Sequence, residues 1–100
     1  MRHRRYGYVY ILANHRRGTL YIGMTSDLHA RLLEHKTFAD PGSFTARYNV
    51  TRLVYFERHD LIVDAIAREK RLKKWKRVWK IALIEKSNPE WEDIELVYDD

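Results

Sequence analysis

The sequence predicts an α+β fold: a small antiparallel three-stranded sheet flanked by helices, in the order β-β-α-β-α-α. Three observations carry this. Apolar residues alternate with period two near the start, a polar turn ending in glycine joins the first two β-like runs, and two later stretches place apolar residues at helical spacing. At 100 residues, with 45% hydrophobic and 13% aromatic content, the chain can bury one core and is expected to form a single domain over 1–100.

From Tyr6 to Ala13, Val9, Ile11 and Ala13 share one face of a strand while Tyr6, Tyr8 and Tyr10 share the other. Asn14 to Gly18 is polar, and Leu20 to Gly23 resumes the pattern, so the two runs read as a hairpin. Thr25, Ser26 and Asp27 offer capping oxygens to a first helix from about Asp27 to Lys36, with Leu28, Leu32 and Leu33 at helical spacing. Phe38 to Tyr48, with Pro41 and Gly42 among polar residues, reads as a loop. Val50 to Arg58 is β-rich and supplies the third strand.

Asp60 can cap a second helix whose stripe is Ile62, Ala65, Ile66, Glu69 and Leu72, with Asp64, Arg68 and Arg71 facing away. Trp75, Val78, Trp79 and Ala82 continue the spacing to about Lys86. No Gly or Pro interrupts residues 61–86, so one helix and two are equally compatible with the pattern. Asn88-Pro89 ends it, and Trp91 to Tyr98 is a tail apolar enough to pack back.

The formal charge of +5 is unevenly spread. Residues 1–17 carry five arginines and no acid; residues 68–84 carry Arg68, Lys70, Arg71, Lys73, Lys74, Lys76, Arg77 and Lys80 against Glu69 alone. The last sixteen residues hold seven acids against Lys86. Basic segments of this kind suit a polyanion, because each phosphate neutralised releases condensed counterions. They equally suit a solvated helix face.

The absence of cysteine excludes a disulfide framework and thiolate metal sites, and it accords with a reducing, cytoplasmic setting. Met1 to Arg5 followed by Tyr8 to Ala13 has the outline of a signal peptide. The apolar run is short, though, alternates like a strand and lacks a small-residue cleavage site before Arg16 and Arg17. No run approaches the roughly 20 apolar residues of a membrane span, so no membrane partner is expected.

Glu69 is the most informative single residue. Its neighbours on the stripe are apolar, and an ionised carboxylate placed there needs a compensating partner. That partner is an arginine, water reached from the stripe's edge, or a hard divalent cation, which prefers oxygen donors. Arg31 and His35 lie four apart and share a face of the first helix. They are either ordinary surface residues or a phosphate clamp beside a group that exchanges protons near neutral pH. Tyr10 and Tyr21 can meet across the hairpin, as cross-strand packing or as paired hydroxyls. His3, His15, His29 and His59 have no metal-ligand spacing.

Taken in order, Tyr8-Val9-Tyr10, Tyr21-Ile22-Gly23, Arg31, His35 and Glu69 resemble the GIY-YIG nuclease superfamily, which includes homing endonucleases, some restriction enzymes and the incision subunit of bacterial nucleotide excision repair. The chain is similar over nearly its whole length to the short, single-domain bacterial members. The first motif reads Tyr-Val-Tyr instead of Gly-Ile-Tyr, as it does in those short members. Met24 stands where excision-repair members carry lysine, and Asn88 is the nearest candidate for an asparagine that several members place after the glutamate.

The resemblance implies a divalent-metal-dependent endonuclease that hydrolyses phosphodiester bonds, with DNA rather than RNA the expected substrate and DNA repair the expected setting. It implies that Tyr10 and Tyr21 sit beside the scissile phosphate, that Arg31 stabilises phosphoryl charge, and that His35 supports or transfers a proton. Glu69 would hold a single Mg²⁺ or Mn²⁺ ion. Lys70, Arg71, Lys73, Lys74 and Lys76 are the expected nucleic-acid contacts. The alternative is a non-catalytic nucleic-acid-binding module using the basic helix and the tyrosine-rich hairpin. A third is an adaptor that docks a protein through the acidic end.

Overall fold

The computed structural model describes residues 6–97. The basic start Met1–Arg5, with His3, and the last three residues lie outside them. The elements are β1 (Gly7–Ala13), β2 (Leu20–Thr25), α1 (Leu28–Lys36), α2 (Phe44–Arg47), β3 (Arg52–His59), α3 (Ile62–Lys74) and α4 (Arg77–Ser87). The expected α+β order holds, with one short helical turn, α2, added inside the segment read as a loop.

The sheet is antiparallel with strand order β2-β1-β3, so β1 is central. Its alternation sorts the interior into two layers. Val9, Ile11 and Ala13 join Ile22, Val54, Ala65, Leu72, Ile84 and Trp91 in one cluster, which places α3 and α4 on that face. Tyr10 and Leu12 join Leu28, Leu32, Val50 and Leu53 in the other, which places α1 on the opposite face. Gly7 permits the close approach of α3, since a Cβ there would collide with Ala65.

The hairpin closes through Asn14, whose N–H bonds Thr19 O and whose Oδ1 accepts from Thr19 N at 2.9 Å. The left-handed residue of this turn is Arg17 (φ 54), not Gly18. Asp27 caps α1 as expected, with Oδ1 accepting from Ala30 N. Asp60 does not take that place for α3; Leu61 stands at the N-cap position without a side-chain cap bond. Arg68 does not face away either. It is mostly buried, donates to Glu57 Oε1 at 2.8 Å and lies over the Trp75 ring at 5.2 Å, tying α3 to β3.

Residues 61–86 form two helices, separated where Trp75 and Lys76 turn to extended backbone (ψ 150 and 147). No local breaker dictates this; packing does. An unbroken helix of that length would run roughly 40 Å at 1.5 Å per residue, well beyond strands of at most eight residues. The break returns Ile84 to the core that already holds Ala65 and Leu72.

The tail packs back, as its composition implies, without regular structure. Trp91 is fully buried, Asp93 Oδ1 accepts from Leu53 N at 2.9 Å, and Ile94 N donates to Leu53 O at 2.7 Å, which covers the outer edge of β3. Of its acids, Asp93 pairs with Lys36, and Glu85 of α4 forms a two-bond pair with Arg17 and accepts from Trp91 Nε1. Among the described residues no helix is long and apolar enough to cross a membrane.

Candidate active site

Tyr10 and Tyr21 come together because β1 and β2 pair with Tyr10 opposite Gly23 and Leu12 opposite Tyr21. Both phenols therefore project on the α1 face. Gly23 is what lets Tyr10 lie flat across the hairpin: a Cβ at 23 would stand 2.5 Å from the Tyr10 Cζ and hydroxyl oxygen. The terminal glycine of Tyr-Ile-Gly is thus a space for the other motif's tyrosine.

From α1, His35 enters between the two phenols. Its ring centroid lies 5.9 Å from that of Tyr10 and 5.5 Å from that of Tyr21, and the phenols are 6.3 Å apart. His35 Nε2 is hydrogen-bonded to the Tyr10 hydroxyl at 3.1 Å, and Nδ1 to Thr45 Oγ1 at 2.9 Å. Thr45 is buried and in turn lies 3.3 Å from Ser43 Oγ. Burial, and then the charge of Arg31, push the His35 pKa down, so the ring is neutral at pH 7. Whichever nitrogen carries the proton, both are occupied by neutral hydroxyl partners.

The two tyrosines differ. Tyr10 is 1% exposed, and burial, followed by the neighbouring Tyr21, drives its pKa far above the ordinary phenol value. Tyr21 is half-buried and lines a cleft of about 560 Å³, and its hydroxyl makes no hydrogen bond among the described residues. Arg31, one helical turn before His35, lines the same cleft. Its guanidinium is about half exposed, and among the described residues its ion pair is a 3.4 Å contact with Glu34, a weak surface interaction that an anion can replace.

Glu69 reaches this place from the other side of the sheet. Ala65 and Leu72 define the stripe of α3 that faces the core, and Arg68 leaves one flank toward β3. Glu69, about 100° further round the helix, leaves the opposite flank, toward the β2 edge. Its charge is felt at the Tyr10 hydroxyl, as are those of Arg31 and Glu34. The structure thus brings Tyr10, Tyr21, Arg31 and His35 together on the α1 face of the hairpin, while Glu69 approaches from α3 on the flank opposite Arg68.

A family model described as the GIY-YIG catalytic domain matches residues 6–82. The chain belongs to the GIY-YIG family. It is 37% identical over 83 residues to a UPF0213 protein of Syntrophus aciditrophicus (strain SB), covering 83% of this chain and 93% of that one. It also resembles the solution NMR structure of a UPF0213 protein from Bacillus halodurans, with a TM-score of 0.55 and 26% identity, over 88% of this chain and 92% of the other.

In this GIY-YIG domain the motif tyrosines and Gly23 are therefore one cross-strand unit on β1 and β2. The expected basic contacts Lys70, Arg71, Lys73, Lys74 and Lys76 are all exposed, on α3 and just beyond it. Of the other basic residues in the run, Arg68 is committed to Glu57, and Arg77 donates to the carbonyls of Arg17 and Gly18. Asn88 is not part of the site. It caps α4, its Nδ2 donates to Val54 O and Glu92 O, and its Oδ1 accepts from Glu92 N.

The donor set bears on the expected metal. Among the described residues no group of three or more His, Asp or Glu side chains converges as a metal cage. Glu69, with its side chain 19% exposed, supplies one carboxylate, and Lys73 Nζ stands 3.5 Å from Oε2. One carboxylate fits Mg²⁺ or Mn²⁺ of the kind that keeps several waters and takes its remaining oxygens from a substrate phosphate.

Sequence reasoning missed Thr45, Ser43 and Phe44. Phe44 stacks on Tyr21 with ring centroids 6.3 Å apart, and Ser43 caps the short helix that carries it. Ser43 was readable as an N-cap three residues before Ala46. The burial of Thr45 had no periodic signature in a four-residue helix.

Proposed function

We propose that this GIY-YIG domain is a divalent-metal-dependent endonuclease that hydrolyses phosphodiester bonds, with DNA as its substrate. One observation supports this above the others: Tyr21, whose hydroxyl has no hydrogen-bond partner among the described residues, lines a cleft together with the half-exposed guanidinium of Arg31. Phosphodiester cleavage needs a positioned water, a route for its proton, and positive charge where oxygen becomes anionic.

In this reading Arg31 swings from Glu34 onto a non-bridging phosphoryl oxygen, where a planar fork of donors suits a phosphate. Tyr21 hydrogen-bonds the attacking water and passes its proton to solvent in the cleft, while the new P–O bond forms, the P–O bond to the leaving alkoxide breaks and that oxygen takes a proton from solvent. Tyr10 and His35 are positioning residues: the phenol, kept neutral by burial, and the neutral imidazole lock each other, and Thr45 holds the far ring nitrogen. Glu69 would hold the Mg²⁺ or Mn²⁺ ion, which supplies Lewis-acid charge. Lys70, Arg71, Lys73, Lys74 and Lys76 would contact the phosphate backbone.

The position of Lys73 supports a second reading, a binding module without catalysis, because its ammonium already faces the carboxylate that would receive the ion. Incubation of supercoiled plasmid with Mg²⁺, Mn²⁺ or EDTA separates the two. The nuclease reading expects metal-dependent nicking that Glu69→Gln abolishes while filter-bound DNA affinity is kept. Nicking that survives Glu69→Gln would overturn the assigned site; binding without nicking in any metal would favour the module.

A further inference from the structure

We infer that the segment between α1 and β3 builds a nucleobase subsite beside the candidate catalytic residues, so that the preferred substrate presents an unpaired nucleotide. The inference rests on the reading that nucleic acid occupies the cleft. Its first support is the pair of phenylalanines in that cleft. Phe38 (41% exposed) and Phe44 (44% exposed) line it together with Tyr21 and Arg31, and Phe44 continues outward to Tyr48, ring centroids 4.8 Å apart. A volume of about 560 Å³ lies within the range of small-molecule pockets and accommodates a nucleoside. Exposed aromatic faces are one of the means by which single-stranded nucleic acid is held, since every base has a π-face to stack.

The second support is the backbone at Phe38. Thr37 caps α1, and Phe38 follows in the left-handed region (φ 53), with Phe38 N bonding His35 O and Ala39 N bonding Glu34 O. This is the helix end at which glycine is strongly favoured, because a Cβ is strained there. Phe38 is neither suited to that backbone nor buried by it. A bulky side chain kept at a strained, exposed position that lines a cleft beside catalytic candidates is the pattern of a ligand contact.

The third support is the sign of the lining. Glu34 and Asp40 line the cleft along with the phenylalanines. Carboxylates repel phosphate oxygens, while they accept hydrogen bonds from exocyclic amino groups of bases. The phosphate is therefore left to Arg31, and the base stacks on the exposed aromatic faces.

The test reads binding without turnover. A single-stranded oligodeoxynucleotide carrying one 2-aminopurine is titrated with the full chain in EDTA, alongside a duplex of the same sequence. The expected result is quenching on the single strand and affinity for it lowered about tenfold by Phe38→Gly and by Phe44→Leu, the scale of one aromatic–base stack. Phe38→Gly should also melt above the wild type, because the strained Cβ is gone, whereas Asn49→Gly, at another left-handed position (φ 56), should leave binding unchanged. Single-strand affinity untouched by Phe38→Gly and Phe44→Leu, or equal losses on duplex and single strand, would overturn the subsite. A wild type that binds with Phe38-dependent quenching yet nicks nothing would refute the nuclease reading alone.

Discussion

Gly23→Ala should break the fold locally and through one named side chain. The added methyl would stand 2.5 Å from the Tyr10 Cζ and hydroxyl oxygen, closer than carbon contacts allow. In an open site a phenol would swing aside, but Tyr10 is 1% exposed and packed among Leu12, Leu28 and Leu32. Overpacking of this kind costs about 1–3 kcal/mol. Displacing the ring also breaks its bond to His35, worth about 1 kcal/mol. The sum, about 2–4 kcal/mol, corresponds to a Tm lowered by roughly 10–25 °C for a domain of this size. The control is a double-mutant cycle followed by thermal and urea denaturation. In a Tyr10→Leu background the colliding atoms are gone, so Gly23→Ala should cost less than about 0.5 kcal/mol, since alanine is the better strand residue. If Gly23→Ala is as harmful there as in the wild type, the tyrosine is not what the glycine accommodates.

Three further outcomes follow from the same geometry. His35 binds its proton more weakly in the folded chain than in the unfolded one, so its contribution to stability is complete above its ordinary pKa of 6.5 and is lost as pH falls through the lowered value. Urea midpoints should therefore drop between pH 7 and pH 5, and His35→Gln should flatten that drop; an unchanged slope would refute it. Glu85, held at about 2 by hydrogen bonds from Arg17 and then Trp91, should titrate near that value by NMR and move toward 4.5 in Arg17→Ala. Asn88→Ala removes three hydrogen bonds, one of them to the buried Val54 carbonyl, and should destabilise by about 2–4 kcal/mol. Any nicking per folded molecule should be unaffected, because Asn88 does not touch the site.

The strands and the first helix were legible because each rested on a short-range pattern, whereas the five candidate residues stood out only as an ordered set that resembles a family, each alone being compatible with packing or a surface role. Alternation in Tyr8 to Ala13 put Tyr10 on one face and Val9 on the other, and that assignment follows from pleat geometry alone. The features missed were set by partners distant in sequence. Arg68 reads as an outward residue by helical phase, and only the arrival of β3 with Glu57 turns it inward. There burial alone would raise the Glu57 pKa, yet hydrogen bonds from Tyr55, His59 and Arg68 hold it below the usual carboxylate value. The break at Trp75 carries no sequence mark because both residues are acceptable in a helix, and the decision is made by the size of the core. Thr45 sits in a segment whose composition says only loop.

A candidate site at the margin of the sheet, and not in its centre, is one that so small a domain can host. A central location would require Glu69 and Arg31 to be desolvated together in the core, where pairing seldom compensates the loss of water. Arg31 remains about half exposed and Glu69 about one-fifth exposed, while Tyr10, which carries no charge at neutral pH, takes the buried position. The neutral groups, Tyr10, His35 and Thr45, therefore form the rigid support, and the charged groups stay where solvent or a substrate can reach them. Introducing a charge inside that support should be far more damaging than removing one at its rim: Thr45→Asp should prevent stable folding, whereas Arg31→Ala should leave the melting temperature within a few degrees of the wild type. Comparable losses in both variants, read by thermal denaturation, would mean that Arg31 belongs to the scaffold and not to the cleft.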